Sequence, residues 1–210
     1  MKPYNVYLLR LAAAVTVSFL FVGCTHTLKS KELSTLETGS PLKGIPPKTF
    51  AFKEFRDARG VVIGRLGKVL DVKKDPYLFD DGGPMRKDKL EQPPASLVAM
   101  VIRKELERNG HKCITYSAQS NPDFIIEGSV YKFDIRRTQP AEWSVFDRPF
   151  NTEVAVKLTV SPASPEKEML TKSYEGKARL LRFKTSINLA LLAMVKEIST
   201  DPDLIAFLEK

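Results

Sequence analysis

The chain has 210 residues, 43% of them hydrophobic, with two cysteines and two histidines. The formal charge of +8 comes from 33 basic and 25 acidic residues. The two signs are interspersed, as in Arg103-Lys104-Glu105 and Glu166-Lys167-Glu168, so the chain lacks the long single-sign tract that would argue for nucleic acid.

Residues 1–23 carry Lys2 and Arg10, no acidic residue, and then the uncharged apolar run Leu11 to Val22, which is the layout of a secretory signal. A membrane-spanning helix needs about 20 apolar residues at 1.5 Å rise each, and this run is too short for one. It ends in Phe21-Val22-Gly23-Cys24-Thr25, which resembles the lipobox of bacterial lipoproteins, although Phe21 stands where that pattern usually has Leu. The resemblance implies that the Cys24 thiol receives a diacylglyceryl group, that the peptidase cuts between Gly23 and Cys24, and that the new N-terminus is acylated. Several acyl chains anchor firmly, because each buried CH₂ contributes about 0.8 kcal/mol. The competing reading is an ordinary cleaved secretory signal with Cys24 as an incidental thiol. Thr25 follows Cys24 where an Asp would retain a lipoprotein at the inner membrane; by the same resemblance, in a Gram-negative host, this implies the periplasmic face of the outer membrane.

Cleavage removes two basic residues from the +8 and 23 residues from the 210, leaving +6 over 187. The expected domains are therefore a signal at 1–23, a lipidated N-terminus with a flexible tether at 24–47, and a periplasmic domain at 48–210. The tether reading rests on a stretch of Ser, Thr, Lys, Glu, Gly and Pro with only isolated Leu and Ile, too little apolar surface to offset chain entropy. With Cys24 lipidated, Cys113 is the one remaining thiol, so the mature monomer can form no internal disulfide. Its strand-like surroundings suggest a buried, inert side chain.

Taken in chain order, the aromatic-rich Thr49 to Phe55 predicts a first strand. Residues 56–83 hold a short strand at Val61-Val62-Ile63 and a long loop marked by Asp75-Pro76 and Asp81-Gly82-Gly83. Val98, Val101, Ile102 and Leu106 recur at helical spacing, and Asn109-Gly110 supplies the stop. Lys112 to Tyr116 and Phe124 to Arg136 read as strands, with Gly128 a candidate bulge. From Thr152 to Val160 apolar and polar residues alternate, which puts Val154, Val156, Leu158 and Val160 on one face. Met169 to Leu180 predicts a third consecutive strand. Ile187, Ala190, Leu191, Met194, Val195 and Ile198 form a helical stripe, and Asp201-Pro202-Asp203 introduces a last helical turn through Leu208. Two amphipathic helices on one face of a mainly antiparallel sheet bury these stripes most simply, so the expected fold is a single α+β domain.

Motifs that carry chemistry are scarce. His111 reads as a solvent-exposed turn residue, and His26 lies beside the anchor. Neither has metal-ligand spacing, and no metal or cofactor is expected beyond the covalent lipid on Cys24. Gly64-Arg65-Leu66-Gly67-Lys68-Val69 fails as a phosphate loop, because Val69 stands where Ser or Thr is required, and it suits a hairpin better. Asp75, Asp80 and Asp81 lack the calcium-loop pattern and read as a solvated turn. No catalytic residue is assigned. The candidate interaction patch is Thr138 to Phe150, where Trp143, Phe146 and Phe150 lie among prolines, Glu142 and Arg148; aromatic residues with Arg are enriched at interface hot spots. The alternative is that these rings cap the end of the core.

Leu170-Thr171-Lys172-Ser173-Tyr174-Glu175-Gly176, the helix after it, and Ser199-Thr200-Asp201-Pro202-Asp203-Leu204-Ile205-Ala206-Phe207-Leu208 resemble the YajG family of Gram-negative outer-membrane lipoproteins. Leu106-Glu107-Arg108-Asn109-Gly110-His111 followed by Asp123-Phe124-Ile125-Ile126 fits the same order. The resemblance implies localisation and fold, and brings no reaction or catalytic residue with it. The function expected from it is a non-enzymatic binding or assembly accessory, with a membrane anchor, an envelope protein as partner and no nucleic-acid or metal partner. The alternatives are a small-ligand or lipid-binding protein with a pocket between sheet and helices, and then a periplasmic hydrolase.

Overall fold

Three long neighbouring strands frame the protein in the computed structural model, which describes residues 27–29, 40–59, 62–63, 69–70, 89–137, 149–164 and 168–209. The strands are β1 (Thr27–Leu28), β2 (Thr49–Phe52), β3 (Arg56–Asp57), β4 (Val62–Ile63), β5 (Val69–Leu70), β6 (Lys89–Leu90), β7 (Lys112–Thr115), β8 (Phe124–Arg137), β9 (Phe150–Pro162) and β10 (Leu170–Leu180). The helices are α1 (Pro94–Arg108), α2 (Phe183–Thr200) and α3 (Pro202–Leu208), with a 3₁₀ turn at Pro41–Gly44.

The main sheet has six strands, ordered β10-β9-β8-β2-β7 with β3 also on β8. β8, β9 and β10 pair antiparallel, while β2, β3 and β7 add in parallel. Together with the three helices this makes a single α+β domain with a mostly antiparallel sheet, as expected. The parallel part arises because β2 passes to β7 through α1, a crossover that a parallel pair requires.

Strict alternation in β9 turns Thr152, Val154, Val156, Leu158 and Val160 inward, each at most 3% exposed. The predicted α2 stripe of Ile187, Ala190, Leu191, Met194, Val195 and Ile198 is buried against them. Burying an aliphatic side chain of that size contributes about 1.5–3 kcal/mol over leaving it in water, so this stripe holds the helix in place. The two layers touch closely at Gly176, where a Cβ would lie 1.9 Å from the Ala190 carbonyl oxygen. Polar contacts also cross between them: the Thr152 and Ser186 hydroxyls are 2.7 Å apart, Ser186 Oγ donates to the Phe150 carbonyl at 3.1 Å, and the Glu175 N–H donates to Glu197 Oε2 at 2.7 Å.

Two expectations change. Gly128 is not a bulge; it lies flat against the Phe55 ring, whose Cε2 is 2.3 Å from where a Cβ would stand, and the register shift falls between Val130 and Lys132. That shift leaves Tyr131 and Lys132 on the outer side before Phe133 turns back inward. The segment 24–47 is also not free along its described length. Leu28 and Leu42 are 0% and 1% exposed and Ile45 is 3%, with Thr27–Leu28 paired in parallel to Lys89–Leu90. Its isolated apolar residues act as anchors: a single docked Leu needs no apolar neighbours in sequence, only a socket in the core.

Candidate functional site

Most of the residues to which the sequence assigns chemistry lie outside the described residues: Gly23, Cys24, His26, the Gly64 to Lys68 loop, Asp75, Asp80, Asp81, Trp143 and Phe146. The strands flanking that loop, Val62–Ile63 and Val69–Leu70, pair antiparallel as a hairpin does. Phe150 is described and is 2% exposed. Its ring meets Phe183 edge-on at 5.6 Å between centroids. Phe150 therefore closes the end of the core where β9 begins and α2 starts, and it is not part of an exposed patch.

His111 also departs from expectation. It is 4% exposed, packed edge-on to Phe50 with centroids 5.3 Å apart. The Gly110 backbone at φ 91° turns the chain after α1, and this turn drops the next side chain into the core rather than into solvent. Its Nδ1 accepts a hydrogen bond from the Lys48 backbone N–H at 3.3 Å, while Nε2 forms none among the described residues. Burial lowers its pKa, the Leu42 carbonyl offsets part of that, and the Lys48 charge adds to it. A neutral imidazole is thus a clip between the start of β7 and the segment entering β2.

Cys113 is half-buried on β7, its Sγ 3.8 Å from the Arg103 carbonyl. Burial, then the nearby Glu107 carboxylate, pushes the thiol up to about 12, against a weaker pull from Arg103. Thiolate chemistry is suppressed there.

The densest polar network joins β10 to the junction of α2 and α3. Lys172 Nζ donates to Asp201 at 2.8 Å and to Asp203 at 2.5 Å, Tyr174 Oη donates to Asp201 at 2.6 Å, and the Asp203 backbone N–H donates to Asp201 at 3.0 Å. Burial works against the Asp201 charge, but these donors outweigh it and hold its pKa below the usual range. Burial and then the Asp201 hydrogen bond raise the Tyr174 pKa, so its proton stays on the phenol. Both carboxylate oxygens are committed to fixing the helix junction, an arrangement that stabilises a cap and leaves no base for a substrate. This network was missed in sequence because its members are separated by up to 31 residues.

On the outer face of the sheet an open cleft of about 220 Å³ is lined by Glu54, Arg56, Glu127, Gly128, Ser129, Lys157 and Thr159. Lys53 pairs with Glu127 at its rim. It is smaller and more polar than the sites that enclose drug-sized ligands, and its lining holds neither histidine nor cysteine. Between sheet and helices, where the alternative of a ligand-binding protein would put a pocket, Phe50, Leu97, Ile187, Leu191 and Met194 are buried to 1% exposure or less. Among the described residues no group of three or more His, Cys, Asp or Glu is placed to hold a metal ion, and no helix is long and apolar enough to cross a membrane.

What the fold and these sites define is a small α+β domain in which Thr152, Ser186, Tyr174 and Asp201 tie its elements together. No protein-family model matches the chain, and no curated protein matches it. Solved structures are similar in arrangement. A Xanthomonas campestris protein described by the family model DUF330 has a TM-score of 0.45 at 9% identity, covering 87% of this chain and 91% of that one. A neuraminyllactose-binding hemagglutinin homolog from Helicobacter pylori has a TM-score of 0.38 at 11% identity, covering 84% and 97%. The lipoprotein GNA1162 from Neisseria meningitidis has a TM-score of 0.27 at 13% identity, covering 77% and 92%.

Proposed function

We propose that the chain is a lipoprotein of the outer membrane, anchored through Cys24, and that its domain works as a non-enzymatic binding or assembly accessory facing the periplasm. The observation that carries this reading is the uncharged run Leu11 to Val22 ending at Gly23-Cys24, because only the lipidated thiol has its chemistry specified by the residues around it. The accessory role is supported by how the polar groups are used. Asp201, Tyr174, His111 and Cys113 are each engaged or suppressed within the fold, and the accessible cleft is open and charged. A ligand-binding role would draw support from an enclosed apolar cavity, and among the described residues the side chains between sheet and helices, Ile187, Leu191 and Met194 among them, are packed as core.

The test is metabolic labelling with radiolabelled palmitate in a Gram-negative host. Wild type should take up label, float with outer-membrane fractions and begin at Cys24, and Cys24→Ser should take up none. Label on the Cys24→Ser protein would defeat the anchor reading. Cross-linking of the lipidated protein in intact envelopes should then retain a protein in stoichiometric amount, and the absence of any such partner would defeat the accessory reading.

A further inference from the structure

We propose that the open cleft on the outer face of the sheet binds an α-amino-acid group, a zwitterion with its ammonium and carboxylate on one carbon. The inference rests on the described residues of the cleft and not on the anchor at Cys24, so it goes beyond the reading above and can fail independently of it.

Register builds the site. Arg56, Ser129 and Lys157 share one row across β3, β8 and β9, and Glu127 and Thr159 share the neighbouring row of the same face. Glu54, two residues before Arg56 on a chain parallel to β8, adds to that second row. These side chains lie on the face away from the helices, because Ile126, Val130, Val156 and Leu158, which alternate with them, are buried in the core. Glu54, Arg56 and Lys157 are exposed, and Ser129 is partly buried; together they line a cleft of about 220 Å³. Among the described residues the side chains of Glu54, Arg56, Ser129 and Lys157 form no hydrogen bond or ion pair. Glu127 is held by Lys53, and Thr159 Oγ1 lies 3.0 Å from Thr171 Oγ1. The cleft therefore has a basic row and an acidic row whose free charges do not close on each other.

Two such rows call for a ligand with two poles. Arg56 presents a planar fork that takes a carboxylate in two parallel hydrogen bonds. Lys157, on the other side of Ser129, is a second cation, and the Ser129 hydroxyl is a neutral donor between them. Glu54 repels a simple anion and favours one that brings its own ammonium, whose three N–H donors suit the Glu54 and Glu127 carboxylates and Thr159 Oγ1. Spacing narrows the class. Rows two residues apart on a strand are about 7 Å apart, and a charge-assisted hydrogen bond of about 2.8 Å at each pole takes up most of that distance. What remains suits charges on neighbouring atoms better than charges at the ends of a longer arm. The cleft is large enough for such a group, and its open side lets the rest of a longer molecule project into solvent. The group can therefore come as a free amino acid or as the exposed end of a diaminopimelate residue in a cell-wall peptide, which carries the same ammonium and carboxylate on one carbon.

The experiment titrates the purified full chain and follows its proton–nitrogen correlation spectrum. The probes are alanine in both configurations, N-acetylalanine without the ammonium, alaninamide without the carboxylate, and β-alanine with the charges further apart. Exposed ion pairs are individually weak, so alanine should bind with a Kd of about 1 mM and shift the amides of Ser129, Lys157 and Thr159. The other three probes should bind about tenfold more weakly or worse. Arg56→Ser should abolish the preference for alanine over alaninamide, and Glu54→Gln the preference over N-acetylalanine, which assigns each pole to its residue. Two muramyl tripeptides separate the sources, one ending in diaminopimelate and one in lysine, which keeps the distal ammonium but lacks the carboxylate beside it. Tighter binding of the diaminopimelate peptide than of alanine supports the site with a cell-wall ligand, and binding of alanine alone supports it with a free amino acid. Binding of neither overturns the proposal. So do equal affinities for alanine, N-acetylalanine and alaninamide, shifts confined to residues away from the cleft, or wild-type selectivity in both variants. Palmitate labelling of Cys24 is unaffected by any of these outcomes.

Discussion

Gly176→Ala tests the packing of α2 on the sheet at a point where helix and strand backbones meet closely. The added Cβ would lie 1.9 Å from the Ala190 carbonyl oxygen, 2.6 Å from the Met194 backbone nitrogen and 2.9 Å from Met194 Cβ. The first two are helix backbone, so no rotamer change relieves the contact and the helix itself must move off β10. Overpacking a well-packed site costs about 1–3 kcal/mol and occasionally more, and a backbone obstacle belongs at the upper end. Replacing a strand glycine returns about 0.5–1 kcal/mol of chain entropy, which leaves a net loss of about 2–3 kcal/mol. For a domain of this size 1 kcal/mol moves Tm by about 2–4 °C, so the variant should melt about 4–12 °C lower. Urea unfolding followed by far-UV circular dichroism measures it, with the midpoint falling and the slope unchanged. Gly44→Ala is the control: nothing lies within 4 Å of its Cβ, and its stability should stay within about 0.5 kcal/mol of wild type. If Gly176→Ala proves as mild as Gly44→Ala, the helix does not sit where the packing argument requires.

Phe150→Ala should destabilise by about 3–5 kcal/mol, as for a buried ring, and a loss of partner binding in a still-folded variant would instead return Phe150 to an interface. Asp201→Ala removes the side-chain cap of α3 and strands the Tyr174 hydroxyl, a combined loss of about 2–3 kcal/mol in thermal unfolding; an unchanged Tm would show that the network is not structural. The native pKa of Asp201 is depressed, so its contribution is present above the unfolded value of 3.8 and disappears as pH falls through the lower native value. His111 has a pKa lowered from 6.5 in the fold, so the unfolded chain takes up its proton first and stability declines as pH drops from about 6.5 toward the native value. His111→Gln should flatten that decline in urea titrations between neutral pH and pH 5, and an unchanged slope would mean that the imidazole is not held neutral.

What could be read in the sequence was whatever repeats with the period of its element. The alternation of Val154, Val156, Leu158 and Val160 and the stripe from Ile187 to Ile198 report burial directly, because a core face must recur every second or every third to fourth residue. His111, Phe150 and Leu28 carry no such period. Each is a single side chain at a turn, a strand start or within a polar stretch, and its burial depends on what a distant segment brings: Phe50 and Lys48 for His111, Phe183 for Phe150, Leu90 for Leu28. A polar or loop-like context therefore predicted exposure for His111 and Leu28, where tertiary contact decided otherwise, while for Phe150 it left an interface patch beside the core-capping reading, with which its burial agrees. The same logic separates the anchor from the domain. The features around Cys24 are local, since a signal must be recognised in an unfolded chain, so they are legible without a fold. The network of Lys172, Tyr174, Asp201 and Asp203 exists only once β10 meets the junction of α2 and α3, and it shows in the sequence as scattered polar residues.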